Sequence, residues 1–131
     1  MGGRGYHEDV VGYLDSDCRT CEYMMISGIS NDEIDFIVDL VSPERPVAPE
    51  FSNSPNKIYV LFNSDCTKIK SITVYDENHL QKYSIHLDYF HDGEFIHVHE
   101  GLNKGRVHIP LKEEHKKIIK KVNDIFDKWR R

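Results

Sequence analysis

Ile85-His86-Leu87-Asp88-Tyr89-Phe90-His91-Asp92-Gly93-Glu94-Phe95-Ile96-His97-Val98-His99 is the stretch on which the fold of this chain turns. Its first half alternates as a strand does. Tyr83, Ile85, Leu87 and Tyr89 project to one side, and Lys82, Ser84, His86 and Asp88 to the other. Asp92-Gly93 is a strong hairpin signal, because a type I′ turn needs positive φ at both central residues. A two-residue turn there sets the pairing: His91 opposite Glu94, Tyr89 opposite Ile96, Leu87 opposite Val98, Asp88 opposite His97 and His86 opposite His99. The apolar pairs then share one face and the polar pairs the other. His86, Asp88, His97 and His99 are thereby expected on one face of a ribbon, with paired Cβ atoms ~5 Å apart.

Outward from the hairpin the pattern continues. Residues 57–63 are nearly all apolar or aromatic, as a central strand covered on both faces requires. Residues 69–75 read as a second strand, 80–91 as a third and 94–100 as a fourth, with turns at Ser64-Asp65 and at residues 76–79. Residues 111–129 carry one apolar stripe, Leu111, Ile118, Ile119, Val122, Ile125, Phe126 and Trp129, at helical spacing. Pro110 suits the start of that helix, Glu113 and Glu114 its positive end, and Lys128, Arg130 and Arg131 its negative end. Lys112, Lys116, Lys117, Lys120 and Lys121 make its outer face basic: either a solvated face, or a contact surface for phosphate or an acidic protein.

Upstream, Ser30-Asn31-Asp32-Glu33 matches a capping box. Ile34, Ile37, Val38 and Val41 follow at helical spacing, which predicts a short helix over 31–41, ended before Pro43. Val10-Val11-Gly12-Tyr13-Leu14 is expected to dock as a turn of helix, and residues 22–28 are open between strand and helix. Residues 1–20 are polar and expected to be loosely ordered. Four of the five prolines fall within residues 43–56, which predicts a long loop. The expected architecture is α+β within a single domain over 1–131: N-terminal helical segments, a four-stranded antiparallel meander, and a C-terminal amphipathic helix packed on the sheet. Tyr83, Ile85, Leu87, Ile96 and Val98 should meet Ile118, Val122 and Phe126.

The length of 131 residues fits one domain of the usual roughly 100–150 residues. With 39% hydrophobic and 11% aromatic residues, the chain is too apolar for disorder. No apolar run approaches the ~18 residues of a membrane span. Residues 1–5 lack the apolar core of a signal peptide, so a cytoplasmic location and no membrane partner are expected. The three cysteines, Cys18, Cys21 and Cys66, are then expected as free thiols. Cys18 and Cys21 have C-x-x-C spacing, but no second pair completes a zinc knuckle. The formal net charge of −5 argues against a general nucleic-acid coat. Eight histidines are about twice an average share for this length.

The hairpin gathers His86, His97 and His99 beside Asp88, and leaves His7, His79, His108 and His115 scattered. Two chemistries suit the cluster. In metal-free acid–base catalysis, a His pair takes a proton from a ribose 2′-hydroxyl and returns one to the leaving oxygen. His97 and His99 would be acid and base, His86 and Asp88 would orient them, and Arg106 (or Lys104) in the loop 101–106 would stabilise phosphorane charge. That route needs no cofactor and takes RNA or a nucleotide. In metal binding, His86, Asp88, His97 and His99 would hold zinc or another transition metal. A polar outer face that is merely rich in histidine is the third alternative.

The run from Ile85 to Gly93, followed by His97-Val98-His99 and a helix ending in Trp129, resembles small proteins borne by prophages and mobile elements of Gram-positive bacteria. Those carry an H-x-H-x-x-G and then an H-x-H pattern before a final helix. More distantly, it is similar to C-terminal RNase-type domains of bacterial polymorphic toxins, several of which share the fold of barnase and the colicin RNases. His91, Gly93, His97 and His99 match the pattern, and Tyr89 stands where its first histidine would be. The resemblance covers residues 57–129. It implies either an RNase-like phosphodiesterase or a non-catalytic anti-defence protein that binds a host defence protein or sequesters a nucleotide signal.

Overall fold

Every residue from Ile34 to Asp39 is buried, and this turns the expected helix into a strand. A short amphipathic helix keeps one face in water. A segment rich in Ile, Phe and Val and covered on both sides suits the centre of a sheet. The computed structural model describes residues 9–11, 23–26, 28–42, 44–63, 65–87, 96–101 and 108–130. Among the described residues, eight strands lie side by side in chain order: β1 (Asp9–Val11), β2 (Tyr23–Met25), β3 (Ile34–Asp39), β4 (Ile58–Phe62), β5 (Ile69–Tyr75), β6 (Gln81–His86), β7 (His97–Glu100) and β8 (His108–Ile109). The six from β2 to β7 make the body of the sheet, and the short β1 and β8 extend its edges. One helix among the described residues, α1 (Glu113–Trp129), follows β8. The fold is α+β, as expected, but residues 10–11 and 34–39 of the expected N-terminal helical segments are extended, residues 12–14 lie outside the described residues, and the meander is part of a wider sheet.

Among the described strands, only β3 and β4 pair in parallel, Ile34 beside Ile58 and Ile37 beside Leu61; every other neighbouring pair is antiparallel. Ser30-Asn31-Asp32-Glu33 is accordingly a strand-entry turn and not a capping box. The Asn31 carboxamide oxygen accepts from the N–H groups of Glu33 and Ile34. The Ser30 hydroxyl donates to the Ile26 carbonyl and accepts from the Phe36 N–H. These are the local side-chain bonds with which Ser and Asn draw a backbone away from helix.

A parallel pair needs a crossover, and here the proline-rich segment supplies it without a helix. Asp39 anchors its start, accepting from the N–H groups of Val41, Ser42 and Val47. Tyr23 donates its hydroxyl to the Val47 carbonyl, Tyr75 donates to the Pro49 carbonyl, and Tyr59 accepts from the Asn53 N–H. Three tyrosines of one sheet face thus hold the loop across it. Burial raises the phenol pKa of Tyr59 to about 12 and pushes that of Tyr75 well up.

The other face carries the main core. Phe36, Val60, Phe62, Ile72, Tyr83, Ile85 and Val98 pack with Val122 and Phe126 of α1, flanked by Leu87, Ile96 and Ile118. This is the contact expected from the alternation of the hairpin and the stripe of the helix. The basic face of α1 is laced with acidic partners, Lys116 with Glu113, Lys120 with Asp124 and Lys121 with Glu33, and just past its end Arg130 pairs with Asp127. That pairing is what a solvated face would show.

His115 performs a structural task at the start of α1. Its Nδ1 accepts the Lys112 N–H at 2.9 Å, and its ring packs edge-on to Tyr83 at 4.6 Å between centroids. Burial lowers its pKa from 6.5. The unfolded chain therefore binds that proton more readily than the folded one. The stabilisation is complete above pH 6.5 and is lost as the pH falls through the depressed folded value. Urea midpoints measured from pH 7.5 to 5 should fall less steeply for His115→Gln than for the wild type.

Candidate functional site

Alternation along β6 and β7 separates two chemistries. Tyr83, Ile85 and Val98 enter the core beneath α1, so Ser84, His86, His97 and His99 occupy the opposite face. The proline-rich loop straps the β2–β5 part of that face. The histidines take the β6–β7 part.

The register differs from the expected one by two residues. His86 pairs with His97, Ser84 with His99 and Ile85 with Val98. The pairs of His86 with His99 and of Leu87 with Val98 do not form. A slip of two preserves which face each side chain takes, so the three histidines still come together. The imidazoles of His86 and His99 meet diagonally, 4.7 Å between centroids at 70°. His97 and His99, two residues apart on β7, stand 6.5 Å apart at 61°. His86 and His99 are half-buried, while His97 is only 7% exposed. The sequence reading named His97 and His99 as the acid–base pair; of the three rings, the two in closest contact and the more exposed are those of His86 and His99.

The floor beside them is polar. Ser71 pairs with His86, and Thr73 pairs with Ser84. The Thr73 and Ser84 hydroxyls are 2.8 Å apart and buried. On the far side of β7, His99 pairs in backbone register with His108, a histidine the sequence left as scattered. Asp88, His91, Lys104 and Arg106 lie outside the described residues, as do Cys18 and Cys21. Among the described residues no group of three or more His, Cys, Asp or Glu side chains is arranged to hold a metal ion. No helix among them is long and apolar enough to cross a membrane.

The face holds a second ionisable feature that sequence reasoning missed. Asp35, buried on β3, pairs with the Lys57 ammonium at 3.2 Å. Desolvation raises the Asp35 pKa from 3.8, and the Lys57 charge opposes that rise. Alternation in Ile34-Asp35-Phe36-Ile37-Val38-Asp39 was the available signal, with both aspartates on one side, but it is visible only once the segment is read as a strand.

Comparison of the chain with protein-family models, with curated proteins and with solved structures finds no match.

Proposed function

We propose that the histidine face is an acid–base site for phosphodiester cleavage, with RNA as the substrate class. The observation that carries this reading is the contact between the His86 and His99 imidazoles, 4.7 Å between centroids. Two imidazoles so close repel one another when both are protonated. A pair that shares one proton offers a base and an acid side by side. The neutral ring removes the proton of the 2′-hydroxyl. The 2′-oxygen attacks phosphorus and forms the new O–P bond as the bond to the 5′-oxygen breaks. The imidazolium gives its proton to that leaving oxygen. The products are a 2′,3′-cyclic phosphate and a 5′-hydroxyl, and the proton has moved from one ring to the other. Arg106, on the sequence reading, is the cation for phosphorane charge.

The formal net charge of −5 favours a second reading, in which the chain is a non-catalytic mobile-element protein that binds a host defence protein or a nucleotide signal. One experiment separates the two. Purified wild type and a His86→Ala/His99→Ala variant are incubated with total RNA in EDTA. Cleavage by the wild type, lost by about 100-fold or more in the variant and bell-shaped in pH, is the expected result. Cleavage that survives the double substitution would remove the assignment, and no cleavage by the wild type would leave the binding reading. Zinc that is retained on purification by the wild type and lost by the variant would redirect both to a metal site.

A further inference from the structure

We propose that Lys82 is the phosphate-binding cation of the histidine face and holds a phosphodiester of RNA there; its part in turnover rests on the acid–base reading above, its hold on phosphate does not. Tyr83 packs in the core beneath α1, so alternation puts Lys82 and Ser84 on the opposite face. Val74 pairs with Tyr83 and Tyr75 with Gln81, which makes Lys82 the extra residue of a β-bulge on β6. Bulges re-aim side chains and are over-represented beside active sites. Gln81 donates its carboxamide N–H to the Pro49 carbonyl of the proline-rich loop, whereas Lys82 is exposed.

On the other side of β6 the ladder with β7 continues past its last pair. Tyr83 pairs with Glu100, and the Gly101 N–H donates to the Lys82 carbonyl at 3.0 Å, so Lys82 and Gly101 stand opposite one another. Gly101, at φ 63°, brings no side chain to that position. His99 lies opposite Ser84. Along β6 it is therefore flanked by two diagonal neighbours, His86 on one side, with its ring 4.7 Å away, and Lys82 on the other. Diagonal neighbours stand ~7–8 Å apart, within reach of long side chains. The lysine ammonium, on its flexible four-carbon stem, thus sweeps the space over the ring pair. None of the ion pairs among the described residues takes Lys82. In a chain of formal net charge −5, a phosphate needs such a local cation to approach. An exposed lysine on a strand also serves against aggregation alone, and the test must separate the two roles.

The probe is a fluorescein-labelled 2′-O-methyl oligonucleotide, which keeps the phosphates of RNA but has no 2′-hydroxyl to attack, so binding is read without cleavage. Anisotropy titrations between about 50 and about 200 mM KCl compare the wild type, Lys82→Ala, Lys82→Arg and Lys117→Ala. Lys117 is exposed on α1, across the sheet, and its loss changes the net charge equally. Lys82→Ala, with native circular dichroism, should bind about tenfold more weakly, with a slope of log Kd against log salt smaller by about 0.7, the share of one phosphate contact on a single strand. Lys82→Arg should stay within about threefold of the wild type, and Lys117→Ala should match it. With an RNA substrate, kcat for Lys82→Ala should fall about 100-fold. Weaker binding by Lys82→Ala with an unchanged kcat overturns its part in turnover. Weaker binding by Lys82→Ala alone, in a protein that cleaves no RNA, supports the phosphate subsite and overturns the phosphodiesterase reading. Binding unchanged in Lys82→Ala, weakened equally in Lys117→Ala, or absent from the wild type overturns the subsite even if the wild type cleaves RNA.

Discussion

Replacing Lys57 with Met should lower the unfolding free energy by about 3–5 kcal/mol at pH 7, because it strands the Asp35 carboxylate in the sheet. The side chains of Asp35 and Lys57 are only 6% and 11% exposed, and their charges are 3.2 Å apart. Lys57 also donates to the Asp32 carbonyl, a bond the variant loses. The pH dependence follows from the direction of the Asp35 shift. Its folded pKa already lies above 3.8, so the folded state prefers the neutral acid. Ionised Asp35 therefore costs stability as the pH rises through the folded value, and the cost disappears below 3.8. Loss of Lys57 removes the opposing charge and widens that window upward. The deficit of Lys57→Met should be largest near neutrality and shrink toward pH 4. Urea unfolding of the wild type and the variant at pH 7 and pH 4.5 measures both. A double variant, Asp35→Asn with Lys57→Met, should recover much of the loss, since a pair replaced together leaves no buried charge. A single-variant deficit under about 1 kcal/mol at pH 7 would mean that water reaches the pair.

Phe62→Ala should cost about 3–5 kcal/mol, through lost burial and the cavity left behind. Phe62 is fully buried on β4. Its ring lies 5.6 Å from Phe36, 5.3 Å from Phe126 and 6.0 Å from Trp129, between centroids. It joins the central strands to the last turns of α1, so the variant should also loosen the helix. Tryptophan emission reports this directly, because Trp129 is the one tryptophan in the chain. The expected result is an earlier denaturation midpoint and a red-shifted native emission. A cost below about 1 kcal/mol would mean that α1 does not depend on this ring.

The histidine face was legible for a physical reason. Period-2 alternation sends Ser84 and His86 to one side and Tyr83 and Ile85 to the other, whatever strand lies alongside. The pairing was not legible. A slip of one residue would expose the core, but a slip of two leaves every side chain on its own face, so patterning cannot distinguish His86 opposite His97 from His86 opposite His99. The two-residue turn read at Asp92-Gly93, which lies outside the described residues, implies a register two residues away from the one that β6 and β7 take.

The segment Ile34–Asp39 illustrates the same limit more strongly. Ile34, Ile37, Val38 and Val41 fit a helical stripe, and Ser30 to Glu33 fit a cap. Its parallel partner, β4, begins at Ile58, beyond the proline-rich loop. No local signal announces a parallel neighbour at that distance. Burial on both faces, by α1 on one side and the tyrosine-held loop on the other, favours extended backbone over helix.

What the amino-acid sequence determined by itself was therefore the local periodic content: the hairpin faces, the C-terminal amphipathic helix, the irregular proline-rich stretch, and the histidines on one side of a ribbon. Only the tertiary structure decided which strands neighbour one another, that residues 34–39 are extended, and that His86 and His99 are the rings in contact. Periodicity depends on backbone geometry within a few residues. Partner choice and register depend on burial summed across the whole sheet, where residues far apart in the chain compete for the same neighbours.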